Sequence, residues 1–430
     1  MTTVTTTDSR PQSRLRRILG DLAFHRDFLR LWFSDTVSLF GNAFTGLALP
    51  SIAVLIFNAT TFQIGILIAV AFVPYPALGL FVGVWADRFR RRRIMIAANL
   101  GRMLTLSSIP IAYLLGELSF LQLYFVALTN GILSVWFDVA YQSYLPVLVD
   151  KDHLIEGNQK LQISASAAQF FGPGIAGQVY DAIGGALTIA YDAIGYLASS
   201  ISLILIRKNE EKKRQNLTDP PPNFFEEMWE GIKVVGKNPI LWRIAGATAT
   251  SNFGTNIVGG VFIIFVYRQL HLSPGTFGLI GTIGAGGFIV GVFLTGKITR
   301  RLGVGVSLAV SIAAGFLALA DPLALQGNSF IVLSTIGFVS GVMFPMYNIN
   351  QVSLRQAITP IKIQGRMNAT MRTIVWGTIP VGSVVGGTLG GIIGVVNTIY
   401  LGAAISGLAV AWILLGPVIR IRTHPEPVKD

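Results

Sequence analysis

The chain has no cysteine among its 430 residues and only four histidines. Disulfides and thiolate metal sites are therefore excluded. His25, His153, His271 and His424 stand in no ligand spacing, so no metal is expected. Charge is scarce too. Asp, Glu, Lys and Arg make up 13% of the residues, about half the share of an ordinary soluble domain. No GxxxxGK[ST] stretch offers a phosphate cradle, so ATP chemistry within this chain is excluded. The N-terminus, MTTVTTTDSRPQSRLRRILGDLAFHRDF, lacks the apolar core and small-residue cleavage site of a secretory signal. It reads as a polar tail leading into a short basic amphipathic helix on a membrane surface. Nothing enzymatic is visible, and no cofactor is implied.

What the chain does have is apolar length. Hydrophobic residues make up 52% of it, in blocks of twenty or more. Such blocks match a bilayer core of about 30 Å at roughly 1.5 Å per helical residue. Twelve spans are expected, at 28–56, 62–86, 94–116, 119–145, 156–180, 184–206, 240–268, 274–298, 303–325, 329–355, 364–391 and 393–418. Turn signals part them: NATT at 58–61, GELS at 116–119, LSPG at 272–275 and DPLALQGNS at 321–329.

The net charge of +12 is not spread as a nucleic-acid footprint would be. Thirty of the 33 Lys and Arg residues fall in loops on one side of this arrangement. Arg268 is in a loop on the other side, and Arg102 and Arg372 lie within spans. Positive loops mark the cytoplasmic face, so both termini are expected inside and no nucleic acid is expected as a partner. The run GVWADRFRRRR (83–93) is at least a topology anchor.

The expected organisation is a cytoplasmic tail and interfacial helix (1–27), a six-helix bundle (28–206), a cytoplasmic linker (207–239), a second six-helix bundle (240–418) and a cytoplasmic tail (419–430). In the linker, PPPNFFEEMWEGIKVVGK has the pattern of a surface helix. Asn223 and Glu226 form a capping-box-like start, and Phe224, Met228, Trp229, Ile232 and Val235 share one face. The two bundles repeat one another. At an offset of 213, SLFG (38–41) falls on SNFG (251–254), Gly46 on Gly259, Gly65 on Gly278, Gly83 on Gly296 and Arg88 on Arg301. Near 208, IEG (155–157) meets IQG (363–365) and Gly174 meets Gly382. Duplication of this kind builds many secondary transporters, with the substrate between the halves. Small residues four apart, such as Gly287/Gly291 and Gly382/Gly386/Gly390, let helices approach closely in lipid.

GVWADRFRRRR resembles the loop 2–3 motif of the major facilitator superfamily, Gly-x-x-x-Asp-Arg-x-Gly-Arg-Arg. Gly83, Asp87, Arg88, Arg91 and Arg92 fit, while Arg90 replaces a glycine. The second copy, GKITRRLG, keeps Gly296 and Arg301 but has Arg300 in place of the acid. FFGPGIAG (170–177) resembles the family's Gly-Pro-x-x-Gly-Gly antiporter motif through Gly172, Pro173 and Gly177, with Ala176 replacing one glycine. LPVLVDKDHLIEGNQ and YDAIGYLASSISLILIR are similar to the 12-span drug:proton antiporter branch, which holds macrolide- and siderophore-exporter-like proteins. The resemblance implies an all-α membrane fold of two pseudo-symmetric six-helix bundles. It also implies a latch in which Asp87 faces the start of span 11 and Arg91 pairs with Asp138.

An ionisable residue within a span costs about 2.5–3.5 kcal/mol on insertion scales and needs a reason. Asp35 is expected to carry the coupling proton or, alternatively, to pair with Arg102. Asp138 is expected as a gate partner and Asp192 as a structural hydrogen bonder. Arg372 could bind anionic substrate or pair with an acid. The cavity is expected to be lined from Asn42, Trp136, Gln169, Asn252, Asn256, Phe344, Tyr347, Gln351, Arg372 and Trp376. The expected function is proton-coupled efflux of amphipathic small molecules by a monomer, its partners being substrate, protons and the bilayer. The alternatives are an importer on the same fold and a non-transporting sensor or scaffold.

Overall fold

A computed structural model of the protein describes residues 21–86, 89–208, 210 and 224–426. Among them there are helices and turns but no strands. The first half runs α1 (Arg26–Leu55), α2 (Thr61–Phe72), α3 (Pro74–Ala86), α4 (Arg91–Leu114), α5 (Phe120–Leu148), α6 (Leu154–Ile183) and α7 (Gly185–Ile204). After α8 (Phe224–Lys237) the second half follows as α9 (Pro239–Ile264), α10 (Pro274–Leu302), α11 (Val304–Ala313), α12 (Ser329–Ala357), α13 (Ile361–Ile392), α14 (Val395–Leu408) and α15 (Val410–Leu414).

The turn signals become helix starts because each carries a side chain that accepts orphan backbone N–H groups. Thr60 and Gln63 form a reciprocal capping box opening α2. Ser119 caps α5, Ser273 caps α10 ahead of Pro274, and Asn328 caps α12. At the far side from the arginine run, Gly184 and Gly394 turn the chain between antiparallel helices with φ of +84° and +85°, where a side chain would be strained. Pro74 lacks the N–H that would carry α2 onward, so the span restarts as α3 just before Tyr75. In the second half, α9 ends in a π-turn (Phe265–Gln269) and α11 tightens into a 3₁₀ stretch (Ala314–Leu325).

Among the described residues, eleven helices are long and apolar enough to cross a membrane. The expected span at 156–180 is present as the 30-residue α6. That helix is outside the set because polar and small residues recur along its whole length, from Glu156, Asn158, Gln159, Lys160 and Gln162 at its start to Gln169, Gln178 and Asp181. The linker helix forms as α8, although Asn223 lies outside the described residues. Trp229 and Ile232 are exposed on it and Val235 is buried, while Gly231 lies against Arg366 and Thr370 of α13.

Two seams join the halves: α6 on α10, and α2 on α13. The repeat glycines sit in them. A Cβ at Gly65 would collide with the Ser383 carbonyl and approach Gly387 of α13; one at Gly278 would collide with the Pro173 carbonyl and approach Gly174 of α6. The 213-residue repeat thus puts equivalent glycines at equivalent points of both seams.

Candidate functional site

The basic residues at the helix ends define one end of the molecule. There Arg91 Nη1 lies 3.1 Å from Glu210 Oε1, and the Arg92 Nε donates to the Leu203 carbonyl at 2.8 Å. The expected Arg91–Asp138 pair is not formed: Arg91 starts α4 and reaches the linker, while Asp138 lies deeper and accepts from the Tyr75 hydroxyl at 3.3 Å. Gly83 falls in α3, and Asp87 and Arg88 lie outside the described residues, so the latch stays an expectation.

The far end is sealed by contacts between the halves. Asp181, at the last turn of α6, accepts from the Ser273 hydroxyl at 2.7 Å and the Gly275 N–H at 3.0 Å, facing the start of α10. The Ser51 and Tyr267 hydroxyls are 2.7 Å apart, and Arg268 donates to the Ala59 carbonyl at 2.8 Å. Gly172, Pro173 and Gly177 belong to the α6–α10 seam or flank it. Gly172 faces Ala43, the Pro173 ring lies beside Gly281, and a Cβ at Gly177 would collide with the Pro274 carbonyl.

The first half buries a charge cluster. Asp35 is 6% exposed, with the Tyr141 hydroxyl beside it and Asp138 within electrostatic reach. Arg102, 1% exposed, sits 5.1 Å from the ring centroids of both Phe137 and Tyr196, and its guanidinium nitrogens lack a hydrogen-bond acceptor. Its charge acts on Asp138 and Asp192. The alternative of an Asp35–Arg102 ion pair is therefore not what the structure contains; aromatic faces hold the guanidinium instead. Asp192, 2% exposed, accepts from the Thr45 hydroxyl and presses on Gly41. That is the structural role expected of it. Asn42 accepts from the Tyr196 hydroxyl at 2.7 Å, a packing bond within the same half.

The second half holds a cavity of about 750 Å³. Asn252, Phe344, Tyr347, Gln351, Arg372 and Trp376 line it, as expected. Asn42, Trp136, Gln169 and Asn256 do not. Asn42 and Trp136 belong to the first half, Gln169 is exposed on α6, and Asn256 turns its amide back to the Asn252 carbonyl at 2.8 Å. The cavity runs from Ile379 and Ser406 inside the bundle to Arg355 and Asn368, near the basic ends of α12 and α13. Sequence reasoning missed Arg355, and it missed the stripe of Thr248, Ser251 and Thr255 on α9, although helical spacing of polar residues in an apolar span was the available signal. Tyr75 and Tyr141 were missed as well. Three acids within spans of the first half, against one intramembrane arginine, were the hint that phenols would be needed.

One chain of contacts leaves the acid cluster for the cavity. The Tyr75 ring meets Trp376 edge-on at 5.1 Å, and the Arg372 guanidinium lies 5.6 Å from the Trp376 centroid. Asp138 in the first half thus touches, through Tyr75 and Trp376, a cavity wall in the second.

Two repeated helical halves that meet along two seams, with a cavity in the second, are the build of many secondary transporters. The sequence model of the Major Facilitator Superfamily matches residues 31–350 and 244–430, and the chain belongs to that family. It is a membrane transporter, and the relatives it matches are transporters rather than enzymes. It is 24% identical over 316 residues to the macrolide efflux protein A of Enterococcus faecalis, covering 72% of this chain and 96% of that one. It is 23% identical over 426 residues to the enterobactin exporter EntS of Citrobacter koseri, covering 96% and 97%. In fold it is similar to an inward-facing bacterial homologue of the iron transporter ferroportin (TM-score 0.72, 16% identity, 91% and 98% covered). The nucleoside transporter NupG is comparable (TM-score 0.72, 12% identity, 90% and 99% covered).

Proposed function

We propose that the protein is a twelve-span exporter that moves amphipathic small molecules out of the cytoplasm in exchange for protons. Both termini are cytoplasmic, α6 supplies the twelfth crossing, and the protein works as a monomer. The observation that carries the reading is a cavity reaching the basic end while the far end is sealed, with a buried carboxylate cluster one aromatic bridge away. Cargo enters from the cytoplasm. Asp35 is the coupling acid, with Asp138 beside it and Tyr75 passing its state to Trp376. Proton entry from the far side favours rocking about the two seams. Asp87, Arg88 and Arg91 latch the cytoplasmic end against α13 when the cavity turns outward. Relatives named for macrolide and enterobactin efflux support the direction.

The test uses proteoliposomes with an acidic lumen and two xanthene dyes, sulforhodamine B (net anionic) and rhodamine 6G (cationic). Uptake of either dye beyond its equilibrium level, collapsed by a protonophore, is expected. If neither accumulates, the exporter reading fails. Reporter fusions at Gln215 and Lys429 should read cytoplasmic, and those at Gly116 and Asn328 external; an external Gln215 would overturn the topology.

A further inference from the structure

The two halves differ in charge where the fold treats them alike. Residues 28–206 hold nine acids and nine Lys or Arg. Residues 240–418 hold nine Lys or Arg and a single acid, Asp321. Asp321 is buried in the 3₁₀ stretch and does not line the cavity. Among the described residues the lining contains two arginines, Arg355 and Arg372, and no carboxylate.

Neither arginine behaves like a loop charge that serves topology alone. Arg355 is partly buried at the last turn of α12, and its Nε is shut off from solvent with no acceptor. Arg372 stands on the stretch of α13 that faces the cavity, with its guanidinium over the Trp376 ring. Between them Gln351 donates its amide to Asn348 at 3.1 Å. Tyr347 shares a hydroxyl contact with Thr248 at 2.7 Å. A buried donor without an acceptor is costly unless a ligand supplies one, and a guanidinium beside an aromatic face suits a planar anion.

We propose that this cavity takes an anionic amphipathic ligand, its carboxylate, sulfonate or phenolate held by Arg355 and Arg372 and its apolar body laid against Phe344, Met343 and Trp376. The assignment rests on the exporter reading and names its substrate class. Among the described lining residues a cationic amphiphile would meet two arginines and no carboxylate.

The measurement is saturable dye binding to the protein in nanodiscs, followed by fluorescence polarisation and corrected against empty nanodiscs. Sulforhodamine B is expected to bind at least about tenfold tighter than rhodamine 6G, with affinity falling as salt rises. Arg355→Gln and Arg372→Gln should each weaken sulforhodamine B by about tenfold, the scale of a charge-assisted hydrogen bond, and leave rhodamine 6G unchanged or tighter. Should a variant fail to fold, the ratio of the two dyes on the unaltered protein still decides. Equal or tighter binding of rhodamine 6G overturns the anion assignment while leaving pH-driven uptake, and thus the exporter reading, intact. Unaltered sulforhodamine B affinity in both well-folded variants overturns it as well. Binding of neither dye, with no uptake of either, removes the exporter reading along with it.

Discussion

The halves repeat one backbone pattern yet put their charges to opposite uses. The first half encloses three acids, Asp35, Asp138 and Asp192, and one base, Arg102, among phenols and apolar side chains, and the arginine's charge acts on two of the acids. The second half leaves two arginines facing a cavity whose described lining residues include no carboxylate. The difference shows that a duplicated scaffold can carry different charge in its two copies, because the close approaches that the seams require at Gly65 and Gly278 leave positions such as Asp35, Asp138, Arg355 and Arg372 free to differ. On the proposed reading, charge in the first half couples transport to protons and charge in the second binds the ligand.

The largest expected effect tests that division directly. Asp35→Asn and Asp138→Asn should reduce pH-driven dye accumulation to the level of empty liposomes while sulforhodamine B binding in nanodiscs persists. If dye binding vanishes with coupling, the halves are not separate in function. Arg102 and Arg355 give the next contrast, read as thermal unfolding in detergent. Arg102→Met removes the buried guanidinium acting on Asp138 and Asp192, and stranding such acids costs about 3–5 kcal/mol. Adding Asp192→Asn should recover part of the loss, since the two residues are coupled. Arg355→Gln, with no acid among the described residues paired to it, should stay within about 0.5 kcal/mol of the unaltered protein. Equal losses at both positions would erase the contrast.

A third comparison sets the two seams side by side. Gly65→Leu and Gly278→Leu place a side chain where the Ser383 and Pro173 carbonyls already stand, an overpacking of about 1–3 kcal/mol against the closed far end. The chain lacks cysteine, so a single Ser51→Cys reports alone. Its labelling by an impermeant maleimide from the far side should speed up with either leucine, and by similar factors. A response from only one seam would show that the repeat is not mechanical.

The fold was legible because its signals are local or periodic. Apolar blocks gave the spans, Thr60, Ser119, Ser273 and Asn328 gave their starts, and the offset of Gly65 from Gly278 exposed the duplication. The cavity was legible on one side only. Phe344, Tyr347, Gln351, Arg372 and Trp376 were found because polar or aromatic residues in spans 10 and 11 need a reason. Asn42 and Asn256 failed the same test because a span's amide can satisfy itself by packing, as their bonds to Tyr196 and to the Asn252 carbonyl do. Which acid faces which base depends on depth and rotation, which no spacing encodes. Hence Arg91 was assigned to Asp138 and Arg102 offered to Asp35, where tertiary packing chose Glu210 and two aromatic rings.

The smallest expected effect concerns the ends of the seams. Asp181 closes α6 and faces the first turn of α10, where the Gly275 N–H and the Ser273 hydroxyl meet its carboxylate. A carboxylate there gains from the free donors and the partial positive charge of a helix start, about 0.3–1 kcal/mol when solvent is near. The Asp87 latch proposed for the opposite end has the same design, an acid closing one seam helix and facing the start of its antiparallel partner. Asp181→Asn keeps an acceptor for both hydrogen bonds but drops the charge. It should therefore shift the balance between the two orientations by only roughly two- to fivefold, toward the state open at the far end. Maleimide labelling of Ser51→Cys should rise by that factor, and high salt should shrink the gap between proteins with and without the Asp181→Asn change. A tenfold or greater rise would mean that Asp181 holds the far end shut by more than its helix contact. No change would assign closure to the glycine seams and to the Arg268–Ala59 contact.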